Sequence, residues 1–596
     1  MSEPKPHAGD LLVEMLIDYG VEYVFGMPGG QTTALHDAIL RRQDKIQHVL
    51  MRDERNAAYA ADGYARVSGK VGVCDVTVGP GANLLPAGFL EALNASIPMV
   101  GIVGDVPLDW LSLKTKGIAS QGFDQVAFFK TCCKDAFQVP TLASLPELVR
   151  TAFRIATAPR PGPVALVIPH DIFDADWDRD ALKAVTDSRT IRSPYLRSTA
   201  PRSAIADAAD LIAKAKRPAL VCGGGVHGSE AAEHVTAFAD KMGGLVVSSL
   251  TGKGSVPETR DYHAGVLNPL GSLAAIELIG EADLVIWCGS KVSQNTGMNW
   301  TLPTPNQATI TIDMDPLEHG RTFRPTVPLL GDVRETILAL TDAMGDRAAA
   351  NPDWLARIAE VKQSCDAIKA TEMASDKIPV QPPRIMAEVA KRLGEDDIVV
   401  SDASFSAGWI SGYLPAKKPA RQFLFARGQG GLGYSVPGAI GAATVLKPGA
   451  RVVTVAGDGG FSYTVGELAT MAQYNQRVVN IVINNGKLGW INFWQKFYFG
   501  QTISVDLETQ SAVPGYAAAA SALGLKGIYV EKPDEIAAAL DEAFAHDGPS
   551  VVEVRIDEMA TPIHSFKRRL QEPDDKERVR PGKVYKLRDW KVSPDL

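Results

Sequence analysis

The chain lacks three things that would each have set its class: a CxxC pair, an apolar run of membrane-spanning length, and a surplus of positive charge. The six cysteines (Cys74, Cys132, Cys133, Cys222, Cys288 and Cys365) include several within apolar runs. They read as buried reduced thiols and argue against a zinc site. With 61 basic against 69 acidic residues the net charge is −8, which gives no electrostatic case for nucleic acid or an anionic membrane as partner. The opening MSEPKPHAGD has no apolar core of a signal peptide, so a cytoplasmic protein is expected. At 596 residues and 45% hydrophobic content, the chain can fill the cores of about three or four domains.

The densest chemistry runs from Val452 to Trp490. An apolar run ends in Gly457-Asp458-Gly459-Gly460, a helix-like segment follows, and a second run, Val478 to Ile483, ends in Asn484-Asn485-Gly486. Two β-branched runs around a helical pattern read as a βαβ unit. Asp458 and Asn485 then emerge together at the carboxyl ends of parallel strands, where such sheets bind ligands. Their oxygens, with a loop carbonyl, suit a hard cation. Mg2+ demands octahedral oxygen ligands and is usually shared with phosphates, and the glycines let backbone come close to a diphosphate. A lone Gly-Asp-Gly is equally a turn. Joined to Asn485, 27 positions after Asp458 and with a strand on each side, it points to a metal-bound diphosphate.

This stretch resembles the thiamine diphosphate fingerprint, GDG through NN, of the thiamine-dependent decarboxylases and carboligases. The resemblance implies that Asp458 and Asn485 ligate Mg2+ through their side chains and Lys487 through its carbonyl. It also places Gly457, Gly459, Gly460, Leu488 and Gly489 around the cofactor. The segment Leu488-Gly489-Trp490-Ile491-Asn492-Phe493-Trp494-Gln495 is similar to the LGMxxQWQ element of acetolactate synthases, which puts Trp490 and Trp494 in the pocket for the acceptor 2-oxo acid. Aromatics at this spacing equally form one buried helical face.

From Leu11 to about Ala175, the runs Val21–Phe25, Val71–Val78, Ile97–Val103 and Val164–Ile168 alternate with helix-length segments, as in an α/β domain with a parallel sheet. The loop Gly26-Met27-Pro28-Gly29-Gly30 permits close ligand approach at Gly29 and Gly30, or is a generic strand-to-helix turn. Glu54 stands just before a helix rich in small residues (Ala57, Ala58, Ala60, Ala61, Ala65), suited to packing against a sheet or another subunit. Alone it is an ordinary first-turn carboxylate. By the resemblance, Glu54 is the acid that hydrogen-bonds the cofactor's pyrimidine ring and promotes the tautomer that acts as base. The segment Val76–Ala87 resembles the SGPGxxN element of acetolactate-synthase-like enzymes. Gln121 then falls on the family's active-site glutamine, with Ser120 replacing the preceding aromatic; a surface amide is the bland reading of Gln121.

A second α/β unit has runs at Pro218–Cys222, Gly244–Ser249, Leu284–Cys288 and Ala308–Asp313. Gly223-Gly224-Gly225-Val226 admits a nucleotide phosphate, or meets a requirement of the fold alone. Acetolactate synthases carry FAD in this domain, and the related acyl-CoA enzymes carry ADP or the CoA nucleotide. Lys291 stands where the synthases have arginine, and Asn268-Pro269-Leu270-Gly271 replaces a Met-His-Gly element, which counts against FAD. In the third unit, the family's Gly-Gln-His for diphosphate contact is here Ser404-Phe405-Ser406, whose hydroxyls still suit phosphate. The loop Gly430-Gly431-Leu432-Gly433 matches the one that props the cofactor in its bent form. Leu432 is the apolar wedge in that reading, or a core leucine.

The expected fold class is therefore α/β with three doubly wound parallel-sheet domains: pyrimidine-binding (1–178), central Rossmann-like (195–345) and diphosphate-binding (380–560). A charged tail (561–596) with Lys567-Arg568-Arg569 is either solvated or a lid whose bases meet phosphate or CoA. The resemblance implies a homodimer or homotetramer that decarboxylates a 2-oxo acid and joins the product to an acceptor. The alternative is a 2-hydroxyacyl-CoA lyase or a related CoA- or sulfonate-dependent enzyme. A non-catalytic relative would have lost Glu54, Asp458 or Asn485, and all three are present.

Overall fold

The computed structural model describes residues 5–114, 117–345, 351–508 and 515–562. The charged tail, with Lys567, Arg568 and Arg569, lies outside the described residues. Three six-stranded sheets, all of parallel strands, follow one another along the chain. The first holds β1 (Tyr23–Gly26), β2 (Gln47–Leu50), β3 (Gly72–Val76), β4 (Met99–Asp105), β5 (Asp135–Gln138) and β6 (Pro163–Pro169) in the order β2-β1-β3-β4-β6-β5. The second holds β7 (Pro218–Cys222), β8 (Leu245–Ser248), β9 (His263–Val266), β10 (Leu284–Cys288), β11 (Ala308–Asp313) and β12 (Val327–Leu330), ordered β12-β11-β10-β7-β8-β9. The third holds β13 (Ile398–Ser401), β14 (Phe423–Phe425), β15 (Val452–Gly457), β16 (Val478–Asn484), β17 (Lys526–Val530) and β18 (Ser550–Arg555), ordered β14-β13-β15-β16-β18-β17.

The first and third sheets thus share one winding, and the second has the strand order of the dinucleotide-binding fold. The twelve inner strands coincide with apolar runs of the sequence: the ten named above, with Asp397–Ser401 and Val551–Ile556 in the third domain. The six strands those runs did not announce (β2, β5, β9, β12, β14 and β17) are the two edges of each sheet. An inner strand is covered on both faces and reads as a continuous apolar run. An edge strand is not: β12 alternates buried and exposed residues, and β17 is mostly half-exposed.

The small-residue helix Glu54–Ser68 packs on its own sheet and also against the helix Ser435–Ala443 of the third domain. The fit is tight enough that a Cβ at Gly63 would lie 2.2 Å from the Gly438 carbonyl oxygen, and one at Gly441 would lie 1.8 Å from that of Ala60. A buried polar network locks the same junction. Arg66 donates to Asp62 (2.7 Å), Glu91 (3.0 Å) and the Phe425 carbonyl (3.0 Å), and the Tyr434 hydroxyl donates to Asp62 (2.6 Å). The segment after the second sheet is not a free linker: its helix Pro352–Met373 buries Trp354, Ile358 and Val361 against that domain. Among the described residues no helix is long and apolar enough to cross a membrane.

Candidate functional site

In the third sheet the chain crosses from one side of β13 to the other, so the strand order reverses between β13 and β15. Ligands of doubly wound sheets bind at the carboxyl ends of such a pair. Asp402 follows β13 and Asp458 follows β15, and a cavity of 940 Å³ opens there.

Asp458 is 3% exposed, and its carboxylate accepts hydrogen bonds from the backbone N–H groups of Gly459 (3.0 Å) and Gly486 (2.7 Å). Burial pushes its carboxyl up to about 7, against the pull of those bonds. A carboxylate so costly to leave charged is stabilised by a cation beside it. Asn485 is held at both ends of its amide: Nδ2 donates to the Glu558 carbonyl at 3.4 Å and Oδ1 accepts from the Lys487 N–H at 3.2 Å. The Lys487 ammonium is taken by Asp506 and, at 3.5 Å, Glu558, so its backbone is what it offers the cavity. The donors gathered here are all oxygens, the set a hard divalent cation takes.

Two helices begin at the same cavity. The first turns of Phe405–Tyr413 (after Ser404) and Gly489–Phe499 (after Leu488) both line it, and neither has a side chain capping its N–H groups. Uncapped N–H groups and the positive ends of two helix dipoles favour an anion, and the Ser404 and Ser406 hydroxyls stand beside them. Ser404 itself adopts φ +72°, a strained conformation for a residue with a Cβ. The cavity therefore fits a cation-bound diphosphate.

Gly457, Gly459, Gly460, Gly430, Leu432 and Gly489 also line the cavity. Asp402 secures the Leu432 loop by accepting from the Gly433 N–H (3.1 Å), the Ser435 N–H (3.1 Å) and the Ser435 hydroxyl (2.9 Å). Gly460 leaves room for it, since a Cβ there would lie 2.6 Å from Asp402 Oδ1. Trp490, Trp494 and Tyr498, one turn apart on one helix, wall the other side, while Asn492 and Phe493 face the interior. The Phe405 and Trp490 rings are 5.2 Å apart and those of Trp490 and Trp494 are 5.9 Å apart.

Gly29, Gly30, Glu54 and Gln121 are not among the cavity's lining. They gather instead at the matching switch point of the first sheet, between β1 and β3, around the turn Thr77–Gly81. A Cβ at Gly81 would lie 3.1 Å from Glu54 Oε1, one at Gly79 would lie 2.6 Å from Gln121 Cβ, and one at Gly29 would lie 2.3 Å from Thr77 Cβ. Gly30 faces open space, and Gln121 is an exposed residue held at φ +65°.

Sequence reasoning missed Asp402 as the anchor of the Leu432 loop, although its place at the end of a strand is a usable signal. It also missed Asn268, Gln294, Asn299 and Trp300, by which the central domain reaches the cavity. These sit in irregular segments with no periodicity to mark them. In the central domain a cavity of 190 Å³ lies among Gly223, Gly224, Gly225, Lys291 and Asp313.

Comparison with known proteins agrees with this geometry. The family description "Thiamine pyrophosphate enzyme, N-terminal TPP binding domain" matches residues 6–128, the central domain of the same enzymes matches 205–340, and their C-terminal TPP binding domain matches 402–554. The probable acetolactate synthase large subunit of Methanocaldococcus jannaschii is 33% identical over 565 residues, covering 92% of this chain and 91% of that protein. The acetolactate synthase isozyme 2 large subunit of Escherichia coli strain K12 is 30% identical over 548 residues, with 92% and 95% covered. The acetolactate synthase large subunit of Lactococcus lactis is 30% identical over 557 residues, with 93% of each chain covered. The chain belongs to the thiamine pyrophosphate enzymes, in the group of the acetolactate synthase large subunits.

Proposed function

We propose that the protein is a thiamine diphosphate- and Mg2+-dependent enzyme of the acetolactate synthase type, which decarboxylates one 2-oxo acid and joins the remaining fragment to a second. The observation that carries this is the convergence of buried Asp458, Asn485, the Lys487 backbone and two uncapped helix starts on one cavity walled by Trp490 and Trp494. Asp458, Asn485 and the Lys487 carbonyl would hold Mg2+, and the N–H groups after Ser404 and Leu488 would hold the diphosphate. Gly430 and Leu432 would pack against the cofactor's rings. When bound, the thiamine ring supplies the electron sink that accepts the pair released by carbon–carbon cleavage.

The chain's own residues do the rest. Glu54 would hold or release, at its carboxylate, the proton exchanged with the cofactor's pyrimidine. Gln121 offers its amide to the reacting carbonyl, and the Trp490–Trp494 wall excludes water and orients the acceptor. In one chain Glu54 and Gln121 stand outside the cavity, so the complete site takes the first domain of one subunit and the third of another, in a homodimer or larger homo-oligomer. The 190 Å³ central cavity is below the ~300 Å³ at which small-molecule pockets usually begin. It counts against FAD, as does Lys291 in place of arginine, so the purified protein should be colourless.

Two assays decide. Purified protein with thiamine diphosphate and Mg2+ is expected to form acetolactate from pyruvate; cleavage of 2-hydroxyacyl-CoA with no turnover of pyruvate would favour the CoA-dependent alternative. Separately inactive Glu54→Gln and Asp458→Asn chains, refolded together, should regain about a quarter of wild-type activity. Half of the dimers are then mixed, and each mixed dimer carries one intact site. No recovery would reject the shared site.

A further inference from the structure

A second group of side chains able to ligate a metal lies in the first domain, and it contains histidine, which the cofactor site does not use. His36 on the helix Thr33–Arg41, His48 on β2 and Asp75 on β3 bring one ligand atom each to within 4.8 Å of one another. His36 Nε2 is 3.0 Å from Asp75 Oδ2, and His48 Nε2 is 2.8 Å from Asp75 Oδ1.

The register explains how two strands that are not neighbours can share a group. β1 runs between β2 and β3, with Val24 paired to His48 and Gly26 paired to Asp75. Positions 24 and 26 point to the same face of the sheet. At position 26 a Cβ would lie 1.9 Å from Asp75 Oδ1, so only glycine leaves the gap through which Asp75 reaches toward His48. The helix bearing His36 covers that face, its Ala34, Leu35 and Ala38 packed with Val24 and Val73.

The hydrogen bonding favours a cation at the centre. His36 Nδ1 lies 2.8 Å from the Thr32 carbonyl, which can only accept, so Nδ1 carries a proton and Nε2 of the neutral ring presents a lone pair to the carboxylate. Two lone pairs facing each other at 3.0 Å require a proton or a metal ion between them. Among the described residues, His36 Nε2 and Asp75 Oδ2 are both buried without a hydrogen bond of good geometry. A carbonyl behind the far nitrogen of an imidazole is also the usual support of a metal-ligating histidine. Asp75 is fully buried, and among the described residues its ion-pair partners are these two histidines alone.

We propose that His36, His48 and Asp75 form a site for a divalent transition-metal ion of the zinc class, with water completing the shell, which ties β2, β3 and the covering helix together directly behind the Gly29–Gly30 loop. Two imidazoles and a carboxylate are a borderline donor set that suits zinc and disfavours Mg2+. Bonds of about 2.0–2.2 Å set tetrahedral neighbours roughly 3.4 Å apart, so the two histidine–carboxylate contacts, at 3.0 and 2.8 Å, need to open by about half an ångström while the imidazoles draw together. His36 and His48 keep partial exposure, which leaves a path for entry.

The test uses the full chain, stripped by chelation and then saturated with thiamine diphosphate and Mg2+ so that the third-domain site is filled. Zn2+ is titrated by calorimetry, and metal retained after gel filtration is counted. One zinc per chain is expected in excess Mg2+, unchanged in Asp458→Asn and weakened at least about tenfold in His36→Gln and in His48→Gln. X-ray absorption of the zinc-loaded wild type needs no variant and should show nitrogen and oxygen donors alone. Zinc binding no different in the His36→Gln/His48→Gln double variant, sulfur in the zinc shell, or no zinc retained by the wild type would each overturn the proposal and leave the three residues as protonated ion pairs.

Discussion

Glu91 is the place to break the coupling between the first domain and the loop that carries Leu432. It is 1% exposed, and its carboxylate accepts from the Gly428 N–H (2.8 Å), the Gln429 N–H (2.7 Å) and Arg66 (3.0 Å). Glu91→Ala leaves two backbone N–H groups without their acceptor, at about 1–3 kcal/mol each. Arg66 keeps Asp62 and the Phe425 carbonyl, so its charge is not left bare. Removing one member of a buried ionic group costs about 3–5 kcal/mol, which agrees with the sum of the parts. At about 2–4 °C per kcal/mol for a domain of this size, the first calorimetric transition should fall by roughly 10 °C. The consequence for the cofactor is separable from melting. Well below the transition, the loop Arg427–Gly433 keeps the exposed Asn94–Gln429 side-chain bond (3.2 Å) to the first domain but loses the buried Glu91 contacts, while Asp402 still anchors its far end. Thiamine diphosphate affinity, read from quenching of Trp490 and Trp494, should drop by at least about tenfold, or 1.4 kcal/mol. A variant that melts within a degree or two of wild type and binds the cofactor equally well would refute the argument.

Three other outcomes follow from named groups. Glu54→Gln should keep the fold and the cofactor yet abolish most hydrogen–deuterium exchange at the cofactor's reactive carbon, and normal exchange would remove Glu54 from the role proposed for it. Trp494→Ala opens the acceptor wall and should change the preference between a small and a larger 2-oxo acid acceptor by at least about tenfold, measured as a product ratio in competition. His263 is 1% exposed; burial, above all, holds its imidazole down to about 4, and its Nδ1 accepts from the Gly265 N–H at 2.9 Å. The unfolded chain takes up this proton first, near the ordinary value of about 6.5, so stability is lost as pH falls from there toward 4, by about 1.4 kcal/mol per unit and about 3 kcal/mol in all. The gap between denaturant midpoints at about pH 7 and about pH 4.5 should narrow in His263→Gln, with buried His227 keeping part of it, and an unchanged gap would assign the acid sensitivity elsewhere.

What the residues disclosed before the structure depended on burial. Strands sealed on both faces had to be apolar throughout and could be read, whereas edges such as β12, with one face open, could not. Asp458 and Asn485 could be singled out because each follows a sealed apolar run, and the structure brings both to one cavity. The argument against zinc rested on cysteines alone. His36, His48 and Asp75 are far apart in the chain, and nothing local marks them; only the register of β1 with its two neighbours shows that Gly26 lets them meet. Asn268 and Trp300 escaped for a similar reason, since domain packing rather than any pattern along the chain brings them to the cavity.

The shared winding of the first and third sheets accounts for where the chemistry gathers. Each has its switch point between its first and third strands, and each places a glycine-bearing turn there: Gly79–Gly81 after β3 and Gly457–Gly460 after β15. Two equivalent crevices were available for one cofactor. The third domain's crevice holds the buried acid at Asp458 and the uncapped helix starts, so it takes charge. The first domain's crevice holds Glu54, set one residue beyond the Asp53 that caps its helix, and an open face at Gly30. A crevice that offers the Glu54 carboxylate, the Gln121 amide and bare backbone suits the neutral, hydrogen-bonding end of a ligand whose charged end is gripped elsewhere. The helices Glu54–Ser68 and Ser435–Ala443 meet backbone to backbone through Gly63, Gly438 and Gly441. Within one chain that contact fixes the spacing of the two crevices and leaves Glu54 off the cavity's wall, which is the observation behind the proposal of a site shared between two copies of the chain.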